Sequence, residues 1–182
     1  VTVLAVTLEE SGLLGSAYFG ENPLIPLGSI VAGINIDAMQ PTGPAKDIVV
    51  VGAGASQLED TLKAVLTESG RVIRPDPMPQ NGYFYRSDHI SLAKKGVPML
   101  YADSGIDLIE GGEAAGEAAG KKYTDENYHK PSDEYADDWN LTGIEADVKV
   151  DYEVVSRLAN NGEWPNWYEG NEFKALRDAQ RK

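Results

Sequence analysis

Val3, Leu4, Ala5 and Val6 form an unbroken apolar run that stops at two adjacent carboxylates, Glu9 and Glu10. A run without polar alternation suits a strand buried on both faces, as in parallel sheets, so it predicts a central strand of an α/β fold. A helix-like segment, Leu13 to Phe19, follows it. Ligands in open α/β sheets gather where strands end, which makes this junction a candidate site. Taken alone, Glu9 and Glu10 fit a solvated loop and a first-turn helix charge just as well. A second predicted strand, Ile30 to Ile36, also ends in a carboxylate, Asp37. Three acids brought to one sheet edge point to a cation or to proton transfer.

Downstream the pattern repeats. Ile48 to Val51 reads as a strand that turns at GAGAS into a helix, with Ser56 and Glu59 placed as a capping box and Leu58, Leu62, Val65 and Leu66 as its apolar face. The glycines lack the last position of a dinucleotide fingerprint and read as a tight turn. A short strand at Arg71 to Arg74 and a Pro-rich loop lead to Tyr83-Phe84-Tyr85, which read as loop anchors. Ser87 is placed to cap a helix running to Lys95, and Val97 to Tyr101 is the next strand. Asp103 to Asn127 reads as loop, its GGEAAGEAAG section flexible or helical. Thr142 and Glu145 suggest a capping box for a helix to Ala159, and Trp164 to Lys182 a tail packed across the surface. Alternating strands and helices predict one α/β domain over 1–182, with a mostly parallel, mixed sheet and helices on both faces.

Charge and cysteine usage narrow the chemistry. The chain has 29 acidic and 16 basic residues, a net charge of -13 and no basic cluster, which disfavours nucleic acid and anionic membrane surfaces as partners. Cysteine is absent, so disulfides and thiolate-held metals are excluded, and a metal here would take carboxylate, imidazole or carbonyl ligands. Of the two histidines, His89 near a helix start reads as structural. His129 in YHKPSDE is the stronger ligand candidate, with Asp133 or Glu134 placed to orient it.

Four motifs in order, TLEESGLLGS, NID, RSDHISLAKKGVP and YHKPSDE, resemble the dinuclear zinc aminopeptidases of the bacterial leucyl aminopeptidase group, relatives of glutamate carboxypeptidase and glutaminyl cyclase. The resemblance implies a zinc-exopeptidase fold and hydrolysis of the N-terminal residue of peptides. It makes Glu9 the general base, Glu10 and His129 ligands of one zinc, Asp37 a ligand of the other, and Tyr128 the phenol that steadies the oxyanion. Arg86 becomes a candidate contact to substrate. Zinc lowers the pKa of its water toward about 7, so a carboxylate such as Glu9 could complete the deprotonation and return the proton to the leaving amine.

The family pattern also contains an upstream His-x-Asp, which nothing in this chain supplies. The expectation is therefore a catalytic domain without its amino-terminal part, holding zero or one zinc where the family holds two, and inactive by itself. Expected partners are a peptide substrate, an amino-terminal fragment or a second copy pairing at an open sheet edge. The resemblance places the parent outside the cytoplasm, secreted or periplasmic. The alternatives are a carboxypeptidase-like or glutaminyl-cyclase-like reaction on the same fold, and a non-catalytic remnant that binds peptides or a partner.

Overall fold

The computed structural model describes residues 1–181. Four strands, β1 (Gly33–Asn35), β2 (Asp47–Val50), β3 (Val72–Pro75) and β4 (Met99–Asp103), form one sheet in the order β1-β4-β2-β3. β1 pairs parallel with β4 and β2 parallel with β3, while β2 and β4 are antiparallel. Strand direction thus reverses once, between β4 and β2. Among the described residues there are six α-helices, α1 (Leu14–Glu21), α2 (Leu58–Glu68), α3 (His89–Ala93), α4 (Gly112–Glu126), α5 (Thr142–Asn161) and α6 (Lys174–Gln180). None of the helices is long and apolar enough to cross a membrane.

Helices cover both faces, as the alternation predicts. On one face Leu58, Leu62, Val65 and Leu66 of α2 and Val150 and Val154 of α5 pack on Ile48, Val50 and Leu100. On the other, Ile90 and Ala93 of α3 pack with Val97, Met99, Trp167 and Phe173. Gly33 of β1 lies close against this second layer, where a Cβ would meet the Met99 sulfur at 2.5 Å and displace that side chain. Beneath α5, Arg71 donates to the Asp47 carbonyl at 2.7 Å and to Asp147 at 2.6 Å. The buried Asp47 carboxylate accepts from Arg74 and from the backbone N–H groups of Ile106 and Asp107.

Several expectations are corrected. Val3 to Val6 form no strand; Val1 and Val3 are 94% and 91% exposed. An apolar run becomes a central strand only where neighbours complete its hydrogen-bond ladder. Among the described residues none does, and the segment reaches α1 through the Gly15 N–H, which donates to Thr7 O at 3.0 Å. Ser56 and Glu59 form half of a capping box: the Glu59 carboxylate accepts from the N–H groups of Gly54, Ala55 and Ser56. Thr142 is the first residue of α5 and does not cap it: Asn140 Oδ1 accepts from both the Thr142 hydroxyl and its backbone N–H, and Glu145 pairs with Lys149. The small-residue section is helical, as α4. The tail sends Trp167, Phe173 and Arg177 into the interior, while Lys182 lies outside the described residues.

Candidate metal and proton-transfer site

The site is built at the carboxyl end of β1. Asp37 follows that strand by two residues and accepts from the Ser87 hydroxyl at 2.6 Å. Ser87, almost fully buried, accepts in turn from Asn35 Nδ2 at 2.8 Å. Its hydroxyl is turned to Asp37 and Asn35 and accepts from no N–H of α3, so it does not cap that helix as its position suggested. Ser87→Ala is expected to leave the buried Asn35 amide short of a partner and to cost about 1–3 kcal/mol, read as a lowered urea midpoint with an unchanged slope.

Glu9 opens the tight turn that precedes α1, its carbonyl accepting from the N–H groups of Gly12 and Leu13. Partial burial raises its carboxyl above the ordinary range, and the negative charges of Asp37, Glu10 and Asp88 raise it further, opposed by His129. A carboxyl poised upward by its neighbours is better matched to exchanging protons near neutrality than an ordinary glutamate. Val3 to Val6 form no strand, so Glu9 and Glu10 do not end one as Asp37 follows β1, but the charges of Asp37 and Glu10 act on the Glu9 carboxyl.

His129 lies just past α4, near the start of the loop that leads to α5. Its Nε2 lies 3.1 Å from Glu10 Oε2, and its ring stacks on Tyr128 with centroids 3.9 Å apart. Burial raises the Tyr128 phenol, while the Arg86 guanidinium lowers it. Tyr128 is accordingly a neutral donor at neutral pH. Arg86 itself lies 5.6 Å from the centroid of Tyr83. Non-glycine residues with positive φ are uncommon, and three of the four here flank this site: Leu8 (59°) before Glu9, Ala38 (46°) after Asp37, and His129 itself (57°). Backbone held in this region costs free energy and concentrates at functional sites.

The other predicted participants are placed differently. Asp133 accepts from the Tyr123 hydroxyl at 2.8 Å, so it does not orient His129. His89 is buried, edge-on to Phe84 at 4.8 Å, and burial lowers its pKa to about 4. It is a neutral aromatic spacer, in keeping with its structural reading. Asp103 was missed by sequence reasoning. It ends β4 as Asp37 closes the β1 region, and burial, then nearby carboxylates, pushes it up to about 7. The signal that could have found it is the same one, an acid terminating an apolar strand.

A catalytic zinc takes three protein ligands. Among the described residues no three carboxylate or imidazole groups are arranged to hold an ion. Glu10 and His129 make a two-donor half-site, and Asp37 is turned toward Ser87. As arranged, these side chains do not fit a complete catalytic zinc site.

Comparison with known proteins supplies the kinship. A family model described as peptidase family M28 matches residues 1–152. No curated protein and no solved structure matches the chain significantly. The matched span covers most of the sequence and contains every residue of the acidic edge as well as Tyr128 and His129. The chain therefore belongs to peptidase family M28, a family of hydrolases that typically use zinc.

Proposed function

We propose that this chain carries the proton-transfer and amine-recognition half of a metallo-aminopeptidase that removes the N-terminal residue of peptides. The observation that carries this reading is the concentration of Glu9, Glu10, Asp37 and Asp88 around one proton-accepting carboxyl. Such a field attracts the protonated α-amine of a peptide. A terminal carboxylate would instead need cations, and the basic side chain whose charge acts on Tyr128 is Arg86. Charge therefore favours the aminopeptidase reaction over a carboxypeptidase-like one.

Each group has a distinct task. Glu9 takes a proton from the attacking water and delivers it to the leaving amine. Tyr128 donates to the oxygen that gains charge in the tetrahedral intermediate. Ser87 and Asn35 hold Asp37 in place, and Arg86 steadies the substrate backbone. With only the Glu10–His129 pair near one another, the 182-residue chain by itself takes at most one zinc and does not turn over. That two-donor geometry also favours a second reading, peptide binding without hydrolysis.

Zinc per chain by elemental analysis, together with titrations of leucinamide and Nα-acetyl-leucinamide, tests both statements. The expected result is zero or one zinc and clear preference for the free amine. Two zincs with release of leucine from a chromogenic leucyl amide would overturn the half-site. Equal binding of the blocked compound would overturn the aminopeptidase assignment and leave the peptide-binding reading standing.

A further inference from the structure

The single reversal of strand direction gives this sheet two opposite rims where strands end. β1 and β4 end at the rim that carries Asp37 and Asp103; β2 and β3 end at the other. That second rim holds an open cleft of about 440 Å³, to which nothing above assigns a role. Its floor is the turn Gly52–Ala55 after β2, together with Asp76 immediately after β3. Its walls are Phe84 and Tyr85 on one side and Gly170–Phe173 of the tail on the other.

The chemistry of the lining selects a ligand. Among the described residues Asp76 and Glu172 are its charged ones, both negative, and no basic side chain lines it. Each acid uses one oxygen internally: Asp76 Oδ1 accepts from the Met78 N–H at 2.7 Å, and Glu172 Oε1 from the Tyr85 hydroxyl at 2.8 Å. The second oxygen of each is left for a ligand. The Glu172 carboxylate raises the Tyr85 phenol, keeping it a neutral donor. The turn does not favour anions, because the Gly54 and Ala55 N–H groups are already bound to Glu59. Gly52, at φ 77°, lies directly under the Phe84 ring, so the aromatic wall seats closely on the floor.

Aromatic faces with two carboxylates and no competing cation are the surroundings that hold an ammonium or guanidinium group. We propose that this cleft is a second binding site, on the rim opposite the acidic edge, for the cationic side chain of a lysine or arginine in a peptide. Phe84 and Tyr85 pack on the methylene stem, and Asp76 and Glu172 face the charge. The site does not depend on a metal, so it stands or falls separately from the aminopeptidase reading.

Backbone-amide NMR of the full chain, titrated with Nα-acetyl-lysine amide and with the uncharged Nα-acetyl-norleucine amide, tests this. The expected result is shifts at Gly52–Ala55 and Gly170–Phe173, and binding of the lysine compound at least about fivefold tighter. Asp76→Asn combined with Glu172→Gln keeps both internal hydrogen bonds and is expected to abolish that preference. Addition of a chelator is expected to change nothing. Equal binding of norleucine amide, shifts confined to the Glu9 and His129 loops, or loss of binding with the chelator would each overturn the proposal.

Discussion

Trp167→Ala is expected to cost about 3–5 kcal/mol, which for a domain of this size lowers the melting temperature by roughly 6–20 °C. Trp167 is 1% exposed, although it lies in a segment with no apolar periodicity. Its ring sits 5.2 Å from Phe173 and within the cluster of Ile90, Ala93, Val97 and Met99. Its indole N–H donates to the Gly96 carbonyl at 3.0 Å. Truncation would therefore open a cavity and leave a buried carbonyl without its donor, two losses that add. Trp164→Ala supplies the contrast. That ring is 39% exposed and meets Arg181 at 4.3 Å, a surface cation–π contact of about 0.5–1 kcal/mol. Thermal melts giving equal small shifts for both variants would show that the tail is not part of the interior.

Asp151→Asn is expected to stabilise the protein, and to do so only above mildly acidic pH. Asp151 of α5 is 5% exposed and its Oδ1 is buried without a hydrogen-bond partner among the described residues. Burial first, and then the Asp147 charge, pushes its carboxyl up to about 7 from 3.8. Between those values the folded state binds a proton that the unfolded state has released, so stability falls as pH rises. The penalty is absent below about pH 3.8 and complete above about 7. Asparagine keeps the shape and removes the titration. The expected gain is on the order of a few kcal/mol at pH 8 and close to nothing at pH 4, read from urea midpoints across pH. A gain that does not vary with pH would mean that Asp151 is not held in its protonated form by the fold.

The parts of this fold that were legible in the sequence are those set by local periodicity. Leu58, Leu62, Val65 and Leu66 recur at helical spacing, and all four are buried in α2. The apolar Ile48–Val51 run is β2 and the turn after it. What escaped depends on which partners are present. Val3 to Val6 have strand composition, but composition carries no information on whether a neighbouring ladder exists. Ser87 and Thr142 are good capping residues whose hydroxyls turn to other partners, Ser87 to Asp37 and Asn35 brought near by the tertiary fold and Thr142 to nearby Asn140. Three-dimensional competition of the kind at Ser87 leaves no mark at short sequence range.

The candidate site divides in the same way. Glu9, Glu10 and Asp37 could be singled out because each follows an apolar run, although the first of those runs forms no strand. The pairing of His129 with Glu10 crosses more than a hundred residues and rested on motif resemblance. The Ser87–Asn35 support for Asp37 had no sequence signal.

Kinship and cooperativity have different boundaries in this molecule. The family match stops at residue 152, part-way along α5. Yet Arg177, 25 residues further on and fully buried, donates to the carbonyls of Ile30 and Val31, just ahead of β1. The final turn of the chain therefore holds the strand from which the acidic edge projects. The span matched to the family is thus shorter than the span that holds β1 in place, because a side chain beyond the match anchors the strand that leads to Asp37.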